Sequence, residues 1–275
     1  MLTDTEPAAY DLTTHRQRPL IARWGIAYGP ALLIVGAFIG LWELLVRALN
    51  VPDYLLPTPS AVARDFSTDH GVLLSATWVT LEEVLFGFGI AFAAGLALAI
   101  ALHLSSILRR ALYPILIASQ TIPIVVLAPI LVILMGYNIK PKLVIVALIC
   151  FFPIVVNGVD GFRSVDPEFV RMMRTLDASR LSIFRRIEFP TGLPLIFSGT
   201  RIAATYAAIG AIFGEWSGST SGLGYVMLQA TPNLETARVL AAVVILSAIS
   251  LLLFLAVSLV ERMTIPWARI QQEGA

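Results

Sequence analysis

Long apolar stretches separated by short polar segments dominate the chain. A helix crossing about 30 Å of hydrocarbon needs about 20 apolar residues at about 1.5 Å rise each. Backbone groups in lipid must pair internally, so each long apolar run predicts a helix. Six runs meet this requirement: Ile26 to about Val46, Val84 to about Leu104, Ala111 to Gly136, Leu143 to Val159, Leu193 to about Phe213, and Val239 to Val260. Pro30, Pro114, Pro123, Pro129, Pro153 and Pro194 lie in or near these runs, where neighbouring helices can satisfy the carbonyls they free. The expected fold class is all-α, a polytopic membrane protein with six transmembrane helices. It is read as one membrane domain, residues 25–262, between an N-terminal segment (1–24) and a tail (263–275).

The charges between the runs set an orientation. With six spans, one side holds Arg16, Arg18, Arg23, Arg109, Arg110, Arg163, Arg171, Arg174, Arg180, Arg185, Arg186, Arg262 and Arg269. The other holds Arg47, Arg64, Lys140, Lys142 and Arg238, several at span edges where they can snorkel. Basic residues accumulate on the cytoplasmic side, so both termini are expected there. The first run follows a polar segment and lacks a small-residue cleavage site, which predicts a retained anchor rather than a signal peptide.

Composition agrees with the bilayer as solvent. Hydrophobic residues are 57% and charged residues 13% of 275, against about 25% charged in a soluble domain, and the mean hydropathy is +0.83. The 19 basic and 18 acidic residues nearly cancel, which gives no basic field for nucleic acid. The single cysteine, Cys150, excludes an intrachain disulfide and a cysteine-based metal site. No metal or cofactor is expected.

The segment Asp160 to Pro190 carries the most information. Asp166-Pro-Glu168 is a helix-start signal, with a capping acid, a first-turn proline and an acid at the positive dipole end. Phe169, Met172, Met173 and Leu176 then recur at i, i+3, i+4, i+7 and make one apolar stripe. Ser179 can cap a second short helix holding Leu181, Phe184 and Ile187, with Pro190 ending it before the fifth span. Periodicity alone fits either an amphipathic hairpin on the membrane surface or a compact knob that docks a cytoplasmic partner.

The run Arg171-Met-Met-Arg-Thr-Leu-Asp-Ala-Ser-Arg-Leu-Ser-Ile-Phe-Arg-Arg-Ile-Glu-Phe-Pro190 resembles the EAA loop of binding-protein-dependent ABC transporter permeases. That pattern reads E-A-A, three residues, G, nine residues, I-x-L-P. Arg171, Met172 and Met173 stand at E-A-A, Asp177 at the glycine, Ile187 at the isoleucine, Phe189 at the leucine and Pro190 at the proline. Leu56-Pro-Thr-Pro-Ser-Ala-Val62, Gln120-Thr-Ile-Pro123, Gly214-Glu-Trp216 and Gly222-Leu-Gly-Tyr225 look like the sulfonate, taurine and nitrate branch. The run from Cys150 to Pro167 looks closest to permeases for vitamins and vitamin precursors, riboflavin and the thiamine pyrimidine among them.

The resemblance implies that Arg171, Met172, Met173, Arg174, Leu176, Asp177, Ala178, Ser179, Ile187 and Pro190 form an ATPase-coupling loop. It implies three protein partners: an ATP-binding cassette subunit, an extracytoplasmic solute-binding protein, and a second permease, expected to be an identical copy. No G-x-x-x-x-G-K-[ST] phosphate loop occurs, so ATP hydrolysis is expected in the partner and this chain is not expected to be an enzyme. The substrate expected is a small organic nutrient of the vitamin class, with alkanesulfonate, taurine or nitrate as the alternative. A secondary transporter is the rival from another class, disfavoured by the absence of an inverted repeat. Neither H-E-x-x-H nor G-x-S-x-G occurs to suggest an intramembrane enzyme.

Charges and amides within spans suggest a translocation path through Gln120, Asn157, Arg201 and Glu215. Gln120 and Asn157 could instead make interhelical hydrogen bonds. Arg201, two turns into its span, either snorkels to the cytoplasm or pairs internally. Glu215, beside Trp216 and a Gly/Ser-rich stretch, marks an outer gate, a re-entrant segment or an interfacial loop. Glu43, Glu82 and Glu83 are expected to be solvated at an interface.

Overall fold

Five of the described helix starts carry a side chain that caps them, from Thr58, Ser105, Asn138, Asp166 and Ser179. The computed structural model describes residues 20–267, with side chains from residue 29 onward; Arg16, Arg18, Arg269 and most of the two terminal segments lie outside the described residues. The chain divides into two units, residues 1–51 and 52–275. In the first, α1 (Leu20–Ala48) is one helix with Pro30 inside it. Its apolar side chains, Leu32, Leu33 and Phe38 among them, are exposed, and Glu43 pairs with Arg47 one turn on.

The second unit opens with α2 (Pro59–Thr68), where Thr58 Oγ1 accepts the Ala61 N–H at 3.2 Å. α3 (His70–Leu104) follows, at 35 residues long enough to project beyond about 30 Å of hydrocarbon. Ser105 caps α4 (Ser106–Ser119), and Asn138 caps α6 (Ile139–Arg163). Between them lies α5 (Ile124–Met135). α7 (Pro167–Thr175) and α8 (Arg180–Ile183) form the connection to α9 (Phe189–Trp216). The short α10 (Leu223–Ala230) and the long α11 (Thr236–Thr264) complete the chain.

Small residues set the helix directions by letting backbones meet. On α3 and α6, Gly87 lies against Val146, Gly95 against Ile154, and Ala99 against Gly158, so the two helices run parallel. α9 runs opposite: Gly192 meets Gly161, Gly199 meets Asn157, and Gly210 meets Val146. At Gly192 a Cβ would come within 2.9 Å of the Gly161 carbonyl carbon, so both positions need glycine for this approach. α9 is the most enclosed of the long helices. The core between α3, α6, α9 and α11 is built from Ala91, Cys150, Ile154, Ala203, Ala207, Ala211 and Leu246. Apolar side chains also cover the outside, as a helix bundle in lipid requires.

Among the described residues, five helices are long and apolar enough to span a membrane, and a sixth span results if α4 and α5 count as one. The expected single span Ala111 to Gly136 is therefore corrected. α4 and α5 meet at 101°, with the break at Gln120 to Pro123. Pro123 has no N–H to continue the α4 ladder, and its ring disfavours helical backbone at Ile122. The remaining expected spans fall inside longer helices, α3 extending furthest beyond its apolar run.

Candidate functional site

The bundle has two distinguishable ends. α3 and α6 finish, and α9 begins, at the end carrying α7 and α8, called here the loop end. The opposite end is the far end.

At the loop end, α7 and α8 make the bihelical knob that the sequence pattern suggests. Asp166 Oδ1 accepts the Glu168 N–H at 2.8 Å, and Pro167 fills the first turn. The stripe residues Phe169, Met172 and Leu176 are 55%, 52% and 70% exposed, so this chain leaves their apolar surface uncovered. Met173 is half-buried, and Arg171 and Arg174 are exposed. Asp177 takes the left-handed conformation, φ +55°. Its N–H donates to the Arg174 carbonyl at 3.1 Å and the Ala178 N–H to the Met173 carbonyl at 3.0 Å, which satisfies the last carbonyls of α7. Ser179 Oγ then accepts the Ser182 N–H at 3.3 Å and starts α8.

The expectation that Pro190 terminates the second knob helix is corrected. A π-helical turn, Phe184–Glu188, joins α8 to α9, and Arg180–Trp216 runs as one 37-residue helix. The Phe189 N–H bonds the Phe184 carbonyl five residues back. Pro190 cannot donate, and its ring crowds the carbonyl at i−4. The wider turn before it is the local answer to that conflict. The knob is thereby continuous with the most enclosed span.

At the far end, a buried polar network joins four elements. Glu83 on α3, expected to be solvated, is 1% exposed. Its Oε1 accepts from Lys142 Nζ on α6 at 2.6 Å. Lys142 also donates to Ser219 Oγ at 2.7 Å. This corrects the expectation for Glu83, which is enclosed by the bundle and bonded to a lysine instead of being solvated at an interface. Glu215, near the end of α9, is fully buried. It accepts from Thr80 Oγ1 at 2.6 Å and from the backbone N–H groups of Gly224 and Tyr225 at 2.5 and 3.2 Å. Trp216 Nε1 donates to the Gly224 carbonyl at 3.0 Å. The Gly/Ser-rich stretch is thus a turn that folds α10 back against α9, α3 and α11.

Further toward the far-end surface, Arg238 at the start of α11 pairs with Asp69 and with Glu235 at 2.7 Å, and lies 3.9 Å from Asp65 on α2. Burial raises the Asp65 carboxyl above its ordinary value, against the pull of Arg238.

The four suggested path residues do not meet in one place. Gln120 is exposed at the α4–α5 break. Asn157 Nδ2 donates to the Pro153 carbonyl of its own helix at 2.8 Å. Arg201 pairs internally, its Nη1 donating to Glu261 Oε2 on α11 at 2.5 Å. Only Glu215 enters the buried network. The sequence reasoning missed Thr80, Lys142 and Ser219 there, and at the loop end His103 and Glu188. The available signal was a lysine directly preceding one apolar run and a glutamate pair preceding another.

The class these features define is a multi-pass helical membrane protein with a knob at one end continuous with a central span. The model of the family described as binding-protein-dependent transport system inner membrane component matches residues 89–265, and the chain belongs to that family. The formylaminopyrimidine transport permease protein of Halalkalibacterium halodurans is 35% identical over 232 residues, 84% of this chain and 92% of that protein. The riboflavin transport system permease protein of Chloroflexus aurantiacus is 34% identical over 228 residues, 82% of this chain and 85% of that protein. The fold is shared with a chain of the MetNI methionine ABC transporter in an inward facing conformation. That match has a TM-score of 0.61 at 17% identity, over 70% of this chain and 96% of the other. The protein is a permease subunit of an ABC importer, an inner membrane component of a family that works with an ATP-binding subunit and a solute-binding protein.

Proposed function

We propose that this permease imports a vitamin or vitamin precursor, of the riboflavin or thiamine-pyrimidine kind. It works as one half of a homodimeric pathway, with the knob and both termini in the cytosol. Each knob docks one ATP-binding cassette subunit, which performs the hydrolysis. ATP binding draws the two cassettes together, the knobs move with them, and the pathway turns from inward-facing to outward-facing to receive substrate from the binding protein. The knob is a two-state element biased by a ligand held on another subunit.

The observation that carries this reading is the knob geometry. An exposed apolar stripe ends in a left-handed Asp177, where the EAA pattern has glycine, and the next helix continues into α9 without interruption. The excess of arginine on the knob side supports a cytosolic placement. The substrate class is supported by the formylaminopyrimidine and riboflavin permeases, two of the relatives above 30% identity. It is also supported by two cations of the bundle, Lys142 and Arg201, which are each already paired with a carboxylate. That arrangement favours a neutral substrate over alkanesulfonate, taurine or nitrate.

The test is to purify the cognate binding protein and follow its melting temperature with vitamins, sulfonates and nitrate. Riboflavin or a pyrimidine is expected to raise it. A shift with taurine or nitrate and none with either vitamin ligand would remove the substrate assignment.

A further inference from the structure

At the loop end, the start of the knob–α9 helix and the end of α3, remote from it in sequence, meet at one carboxylate. Glu188 closes the π-helical turn and is 5% exposed. Its Oε1 accepts from Arg180 Nη1 at 2.6 Å, and its Oε2 lies 2.8 Å from His103 Nε2. Arg180 opens the second knob helix, and His103 lies one residue before the end of α3. Arg180 Nη2 is 3.0 Å from the same imidazole nitrogen. The rings of Phe162 and Phe184 stand 5.3 and 5.8 Å from the imidazole, and Phe189 packs on both of them.

The identity of the residue at position 103 is informative. Its Nδ1 is buried without a partner, a cost that a phenyl ring would avoid. Phenylalanine would also complete the surrounding aromatic cluster. What histidine adds there is a polar ring nitrogen, which in the Nε2–H tautomer donates to Glu188 Oε2.

We infer that Glu188 and His103 are positioning residues that carry displacement of the knob into α3; the inference rests on the knob being the ATPase-docking element. The knob is tied to α9 through the peptide chain, and α3 has no such connection to it. Charge-assisted bonds to a buried carboxylate are about twice as strong as neutral ones, so Glu188 ties the end of α3 firmly to the start of the knob–α9 helix. When Arg180 shifts with the docked ATPase, Glu188 and then His103 follow, and the loop end of α3 is drawn along. α3 also carries Thr80 and Glu83. One rigid helix therefore links the knob to the buried network that holds α10 at the far end. Coupling of this kind needs a physically continuous element with two positions, and α3 with its polar contacts at both ends supplies it.

The test uses the complete importer in proteoliposomes, with permease, ATPase and binding protein. ATPase co-purification and uptake per ATP hydrolysed are both measured. His103→Phe keeps the ring packing and removes the bond to Glu188. It is expected to retain ATPase at the wild-type level while uptake per ATP falls about tenfold, within the range by which residues between two sites alter coupling. His103→Gln loses the ring but keeps a donor for Glu188, and is expected to recover most of the coupling. Glu188→Gln weakens both bonds at constant shape and is expected to resemble His103→Phe. Wild-type coupling in both His103→Phe and Glu188→Gln overturns the inference. So does better coupling in His103→Phe than in His103→Gln, which would make the role one of packing. Loss of ATPase from both His103 variants also overturns it, because the cluster would then serve docking or folding. Failure of the docking reading registers separately, as a Leu176→Asp permease that still holds its ATPase.

Discussion

Glu215 at the end of α9 and Gly224 at the start of α10 are joined by a 2.5 Å hydrogen bond from backbone N–H to carboxylate. The same carboxylate oxygen accepts from Tyr225 at 3.2 Å, and Thr80 Oγ1 accepts the Leu223 N–H at 2.8 Å. The first N–H groups of α10 are thus satisfied by two neighbouring spans, α3 and α9, rather than by a local cap. The negative charge also lies at the positive end of the helix dipole.

Removing that charge should loosen the far-end turn. Glu215→Gln is expected to lower stability by about 1.5–3 kcal/mol, the range for hydrogen bonds to a charged group. Gly222→Ala should cost more, because φ is +105° there and the added Cβ would lie 2.2 Å from the Glu215 carboxyl carbon. Thermal unfolding in detergent measures both, and a Glu215→Gln protein that melts like wild type would contradict this role.

The Lys142–Glu83 pair makes a second prediction. Lys142→Met strands a carboxylate inside the bundle and should cost about 3–5 kcal/mol. Adding Glu83→Leu to Lys142→Met should recover much of that loss, since replacing both partners removes the unpaired charge. Melting of the two single variants and the double variant forms the cycle. Additive losses would mean that the ions act independently.

The helices and the knob were legible in the sequence because each rests on local pattern. The apolar runs give the spans, and Asp166, Pro167 and Ser179 give the knob its helix starts. What was not legible depends on partners distant in the chain. Glu83 reads as an interfacial charge until α6 brings Lys142, 59 residues away, to 2.6 Å. Arg201 left two alternatives open, and Glu261, 60 residues on, decides between them. The two misplaced boundaries, at Pro123 and Pro190, have one origin. Proline removes a donor wherever it falls, but only the surroundings decide whether the chain bends by 101°, as between α4 and α5, or widens into a π turn and continues.

Asp177 offers a test of the knob turn itself. Asp177→Gly is expected to stay within about 1 kcal/mol of wild type, because relief at positive φ is offset by unfolded-chain entropy. Asp177→Val should lose about 1–2 kcal/mol or more, since a β-branched residue resists the left-handed region. Melting of the purified permease reads the difference, and equal stability of the two variants would place the strain elsewhere.

Arg201 separates a structural ion pair from a substrate contact. The pair is partly open, with side-chain exposures of 31% and 17%, so Arg201→Met should cost about 1 kcal/mol or less in stability. Uptake lost in that variant should return in the Arg201→Met, Glu261→Gln double variant. Uptake that stays lost while stability recovers would identify Arg201 as a ligand for substrate.

The most direct measurement is ATPase retention by Leu176→Asp, purified with its partners from membranes. Leu176 is 70% exposed on the knob, so insertion and melting should be unchanged. A charge placed in the docked apolar contact should weaken ATPase binding at least about tenfold, or about 1.4 kcal/mol, and uptake should fall with it. A Leu176→Asp permease that keeps its full complement of ATPase and transports at the wild-type rate would contradict the knob as the point of coupling.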